Sequence, residues 1–111
     1  MSKTASAATH IQTLNITPGR GGFRVARDKY DATRKAILEV VRANGEGVLF
    51  SELPRAVARK LPKALFANAS VPWYTTVVKL DLEARGEIER VPGAKPQRLR
   101  RVNARVPRLS R

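Results

Sequence analysis

Apolar residues recur along this chain with two different periods. From Asp28 to about Ala43, Tyr30, Thr33, Ile37, Val40, Val41 and Asn44 fall on one helical face, with Leu38 beside it. Lys29, Lys35, Glu39 and Arg42 lie mostly opposite. That spacing predicts a first helix with Asp28 as its N-cap, where its oxygen accepts from an orphan amide and its charge suits the helix dipole. Gly45 is expected to stop it in a positive-φ conformation. Val48-Leu49-Phe50 is too short for a helix and predicts a small strand. A second helix is expected from Ser51 as cap, with Pro54 in the first turn, where a missing N–H costs nothing. Leu53, Val57 and Leu61 form its buried stripe, supported by Ala56; Arg55, Arg59 and Lys60 face outward, and Pro62 ends it. In the link from Lys63 to Ala69, Leu65 and Phe66 are expected to plug the core from outside.

The third periodic stretch runs from Ser70, a cap, through Pro72 to the stop at Arg85-Gly86. Trp73, Tyr74, Val77, Val78, Leu80 and Ala84 share one broad arc, which is expected to pack on the other helices with Trp73 and Tyr74 in the core. Thr75, Thr76, Lys79 and Glu83 fall opposite and are expected to face solvent. Asp81 projects into the apolar arc and needs a partner, Arg34 or Arg85, because an unpaired buried charge is costly. After Gly86 the period shortens to that of strands. Glu87–Val91, a turn through Pro92-Gly93-Ala94-Lys95-Pro96, and Gln97–Val102 predict a hairpin with Ile88 and Leu99 inward. Arg90, Lys95, Arg98, Arg100 and Arg101 cannot all be buried, so most must project. Three helices, a short strand and a C-terminal β-hairpin make a mostly helical α+β fold with the outline of a winged helix-turn-helix.

Composition narrows this further. A chain of 111 residues is one small domain by default, with a small core at 42% hydrophobic. Residues 1–27 are expected to be a flexible basic arm, with a turn at Pro18–Gly22 and with Ile11, Leu14 and Ile16 able to lie against the domain. The domain itself is expected over 28–102, and 103–111, with Arg105, Arg108 and Arg111, as a flexible basic tail. No cysteine is present, which excludes disulfides and thiolate chemistry and fits a cytoplasmic setting. No apolar run approaches the roughly 20 residues that span a bilayer, so no membrane partner is expected. A secretory signal is not expected either, since the N-terminus lacks an apolar h-region.

The net charge is +13, and residues 85–111 hold nine bases against Glu87 and Glu89. Clustered positive charge attracts polyanions. His10 is the only histidine and Ser51 and Ser70 are accounted for as caps, so no catalytic triad, two-histidine metal site or phosphate loop is evident, and neither an enzyme nor a cofactor is expected. The expected function is binding of double-stranded DNA, as a transcription regulator or nucleoid-associated protein. Thr75, Thr76 and Lys79 would approach the groove, and Arg90, Lys95, Arg98, Arg100 and Arg101 would hold phosphates. Six neutralised phosphates correspond to a log–log salt slope of roughly −5. The alternatives are a module that docks an acidic protein partner, and an RNA-associated module using its basic tails. An exposed apolar patch around Leu65, Phe66 and Trp73 would favour the protein partner. Both a monomer and a homodimer are compatible with the sequence.

Trp73-Tyr74 followed by Val77 and Val78, then Leu80-Asp81-Leu82-Glu83-Ala84-Arg85-Gly86, resembles the signature of a family of small, uncharacterised bacterial winged-helix proteins. Pro18-Gly19-Arg20, Asp28-Lys29-Tyr30, Ser51-Glu52-Leu53, Leu61-Pro62 with Leu65-Phe66, and Pro96-Gln97-Arg98-Leu99-Arg100 are similar to the same family. The resemblance spans about residues 14–101 and implies a winged-helix fold without a known function. The Leu82-to-Gly86 string also resembles the end of the third helix in many winged-helix regulators, an analogy of fold that does not fix function.

Overall fold

The apolar faces read from the chain converge on one core. The computed structural model describes residues 9–102. In chain order these form β1 (His10–Gln12), β2 (Arg24–Ala26), α1 (Arg27–Ala43), β3 (Val48–Leu49), a 3₁₀ turn (Phe50–Glu52), α2 (Leu53–Ala58), α3 (Val71–Ala84), β4 (Ile88–Arg90) and β5 (Arg98–Arg101). The result is a small α+β domain of three α-helices and two antiparallel sheets. β1 pairs with β2, and the second sheet has the order β3-β5-β4. Ile37, Val41, Leu53, Val57, Val78, Leu82, Ile88 and Leu99 lie at its centre, at most 1% exposed. Each such side chain contributes about 2 kcal/mol relative to an exposed one. The α1 stripe, the α2 stripe and the inward positions of the C-terminal hairpin are therefore as the periodicity predicts.

The ends of the elements differ in informative ways. Helix α1 starts one residue before Asp28, with Ala26 in the N-cap position and no side-chain cap; the Asp28 carboxylate instead accepts from the adjacent Lys29 amide. The reason is that β2 leads into α1 without a loop, so strand geometry sets the helix start. Gly45 does not take positive φ. Asn44 ends the helix, its side-chain amide donating to Val40 O at 2.7 Å, and the positive φ falls on Gly47, at 108°. A Cβ at Gly47 would meet Leu99 O at 3.2 Å, so this glycine also lets the turn approach β5. Ser51 caps nothing: it sits inside the 3₁₀ turn, whose first amide, of Phe50, donates to Gln97 O at 2.9 Å. Leu61 is buried although α2 ends at Ala58, and Phe66 fills the core from the link, as expected.

Helix α3 is capped at both ends by local sequence. Ser70 Oγ accepts from the Trp73 amide at 3.1 Å. At the other end, the Gly86 amide donates to Glu83 O and the Glu87 amide to Leu82 O, with Gly86 at φ 80°. That double bond pattern satisfies the last carbonyls and turns the chain straight into β4.

The N-terminal segment is the main departure. Residues 9–27 are not a loose arm but part of the domain. The Thr13 amide donates to Phe23 O, and the Phe23 amide donates back to Thr13 Oγ1, both at 2.8 Å. Thr13 and Val25 are buried at 1% and 3% exposure. A Cβ on Gly22 would sit 2.1 Å from Thr13 O, so this close approach admits only glycine. The expectations placed on residues 1–8 and on Arg105, Arg108 and Arg111 lie outside the described residues.

Candidate functional site

Helix α3 is held between two hairpins through two acids. Asp81 and Glu83 are two residues apart, about 200° around the helix, so they face nearly opposite ways. Asp81 is fully buried and accepts from the Leu14 amide (2.8 Å), the Tyr30 hydroxyl and Arg85 Nε (2.9 Å to each oxygen). Arg85 is thus the partner, while Arg34 pairs with Glu87 at 2.6 Å. Burial, reinforced by the hydrogen bond to Asp81, pushes the Tyr30 phenol up to about 12. The same carboxylate raises the Arg85 guanidinium.

On the other side, Glu83 meets Lys79 Nζ at 2.6 Å and Arg90 Nε at 2.7 Å. Lys79 is 2% exposed, with its ammonium 4.6 Å from the centre of the Phe50 ring. Its contact with Glu83 Oε2 is an ion pair rather than an aligned hydrogen bond. Burial lowers the Lys79 pKa, opposed by Glu83. Thr75 is also fully buried, and its hydroxyl has no partner among the described residues.

These facts correct the expected groove-reading face. Thr75, Lys79 and Glu83 do not face solvent; of that row only Thr76 is partly exposed. Arg90 of the C-terminal hairpin reaches Glu83, and the Phe50 ring lies against the Lys79 ammonium. A Lys and a Glu at i, i+4 read as a solvated surface pair, and nothing local in the sequence marks them as covered. The outward strip of α3 consists instead of Trp73, Thr76, Leu80 and Ala84. Trp73 was expected in the core and is 41% exposed. Phe66 and half-buried Tyr74, edge-to-face at 5.6 Å, already fill the inner space. The indole therefore turns outward onto Phe23, with ring centroids 5.3 Å apart.

The C-terminal hairpin divides its cations. Arg90 serves Glu83, and Arg100 pairs across the strands with Glu89 at 2.6 Å. Lys95 at the tip, Arg98 on the outer face and Arg101 are exposed, with no carboxylate partner among the described residues. Arg98 donates weakly to Gly47 O at 3.2 Å. Five expected phosphate ligands thus become three available cations and two fastened ones. Phe23 was not foreseen as a surface residue. The alternation Phe23, Val25 with Arg24 between marks a strand but puts Phe23 on the face of buried Val25, so local pattern alone does not give its exposure.

A family model, described as a family of unknown function (DUF6958), matches residues 10–99. The chain belongs to that family. The matched span begins at β1 and ends in β5, so both hairpins lie within the DUF6958 region. No curated protein and no solved structure gives a match. Among the described residues, no helix is long and apolar enough to cross a membrane.

Proposed function

We infer that this DUF6958 chain is a non-enzymatic, winged-helix nucleic-acid-binding module that grips the backbone of duplex DNA through its C-terminal hairpin. Support for the winged-helix assignment comes from the order of elements and the β3-β5-β4 sheet, in which the strand between α1 and α2 joins the hairpin that follows α3. The observation that carries the functional reading is the set of exposed cations Lys95, Arg98 and Arg101, without a carboxylate partner among the described residues, on a chain of net charge +13. Such cations exchange counterions for phosphate and confer affinity without sequence reading. Helix α3 then acts as a support, because its polar row is internal. Binding of this kind places the protein with the nucleoid or cytoplasmic nucleic acid.

The test is an anisotropy titration of random duplex, single strand and RNA at two salt concentrations. Duplex is expected to bind best. Three phosphate contacts from the hairpin predict a log–log slope near −3. Lys95→Glu with Arg98→Glu should weaken duplex binding and flatten the slope by about two. Unchanged affinity and slope in that variant would remove the hairpin as the grip.

A further inference from the structure

We propose that Leu14, Phe23 and Trp73 form a docking shelf for an acidic amphipathic segment of a partner protein, separate from the nucleic-acid grip. These are three of the four large hydrophobics exposed among the described residues, at 44%, 50% and 41%. They are not scattered. Phe23 leans on Trp73, and Leu14 and Phe23 line one cleft with Val77 and Leu80 of α3. Single exposed apolar residues are ordinary, whereas a contiguous group rimmed by polar residues marks an interaction surface. The cleft holds only about 10 Å³, room for one water at most. The shelf therefore suits the side chains of a macromolecule laid across it, not a buried small molecule. No residue of the β4–β5 hairpin lines that cleft.

Charge selects the occupant. The segment carrying Leu14, Ile16 and Phe23 also carries Arg20 and Arg24, both exposed, and residues 9–27 contain no acid. The acids of α3, Asp81 and Glu83, are turned inward and paired. The rim is thus positive. A second copy would bring the same arginines and a further +13 against it. The chain's own residues 1–8 and 103–111 contain no acid either, which leaves an acidic partner. Stacked nucleobases fit less well. Phe23 and Trp73 are tilted by 59° against one another, and Trp73 stands edge-to-face with Tyr74 at 5.0 Å, so the rings do not present parallel faces for a run of stacked bases. Aliphatic Leu14 beside two aromatics instead provides seats for Leu or Phe anchors spaced along a helix, with carboxylates reaching the arginines.

Trp73 is the only tryptophan, so its emission reports occupancy directly. The experiment titrates the full chain, near physiological ionic strength, with a synthetic peptide of about 18 residues, five helical turns, bearing Leu and Phe on one face and Glu elsewhere. A saturable blue shift is expected. Polyglutamate of equal charge and a single-stranded oligonucleotide should leave the emission position unchanged. Phe23→Gln and, separately, Leu14→Gln should each weaken peptide affinity about tenfold or more while duplex affinity through the C-terminal hairpin stays the same. The proposal is overturned by no shift with the peptide, by an equal shift with polyglutamate or oligonucleotide, or by unchanged peptide affinity in both variants. Concentration-dependent self-association of the chain that Phe23→Gln abolishes would also overturn it, in favour of a second copy. Because duplex affinity is read in the same samples, failure of the shelf is distinguishable from failure of the hairpin grip.

Discussion

The two hairpins that hold α3 solve the same problem with opposite chemistry. Each closes over a buried acid of the helix, β1–β2 over Asp81 and β4–β5 over Glu83. The N-terminal one does so with a backbone amide and leaves apolar side chains outside. The C-terminal one does so with an arginine and leaves cations outside. Fastening and display are therefore separable within each hairpin. What binds the helix does not predict what faces the solvent, and the two outer surfaces suit different partners.

The largest effect is expected on the N-terminal side. Asp81→Ala strands the Leu14 amide, the Tyr30 hydroxyl and Arg85 at once, and should cost about 3–5 kcal/mol in a urea titration. Amide exchange at Leu14 should accelerate more than at Ile88. Equal acceleration at both would mean that the hairpins open together.

Alkali should then separate the two fastenings. The Tyr30 pKa is raised to about 12 in the folded chain from the ordinary 10.0 of a phenol, so the unfolded state loses its proton first. Its contribution is fully present below pH 10.0 and is lost as pH rises towards 12, by up to about 3 kcal/mol. Lys79 works in the other sense. Its folded pKa lies below 10.5, so the cost of burying its charge is relieved as pH rises towards that value. Melting midpoints across this range should fall for the native chain and fall less for Tyr30→Phe. An identical fall in both would rule out the phenol as the cause.

The smallest effect is the sharpest for function. Lys79→Met leaves Glu83 Oε2 without its ion pair while Arg90 still holds Oε1, so stability should fall by about 1–3 kcal/mol. Duplex affinity should not change. A large loss of affinity with the fold retained would restore Lys79 to the groove-reading role that the sequence pattern implied.

The fold was legible at some positions where one residue decides a local outcome and not at others. Asp28 and Ser51 cap no helix and Gly45 takes no positive φ, because adjoining strands and turns set those ends. Ser70 caps α3, Gly86 stops it, and Ile88 and Leu99 alternate inward. The Asp81 requirement was legible too, because a carboxylate on an apolar arc demands a partner. What escaped was everything set by contacts across long stretches of chain. Periodicity assigns α3 an inner and an outer half, but three of its sides are covered, one by each hairpin and one by the other helices. Thr75 and Lys79 were misplaced for that reason. Trp73 was misplaced because size argues for burial, while the available space was already taken by Phe66 and Tyr74. The hairpin cations are numerous in the sequence, yet which of them are engaged depends on Glu83 and Glu89 lying within reach.

The fastening of α3 also has a consequence for synthesis. Leu14 and Asp81 are 67 positions apart, and Tyr30 and Asp81 are 51 apart. Arg90 and the strand that pairs with β4 come after α3 in the chain. A nascent chain therefore exposes the charged rows of α3 to water until both its earliest and its latest described strands have docked. Closing such distant contacts is slow relative to forming the helices. The domain should remain protease-sensitive on the ribosome until β5 has emerged, and should then become resistant in one step.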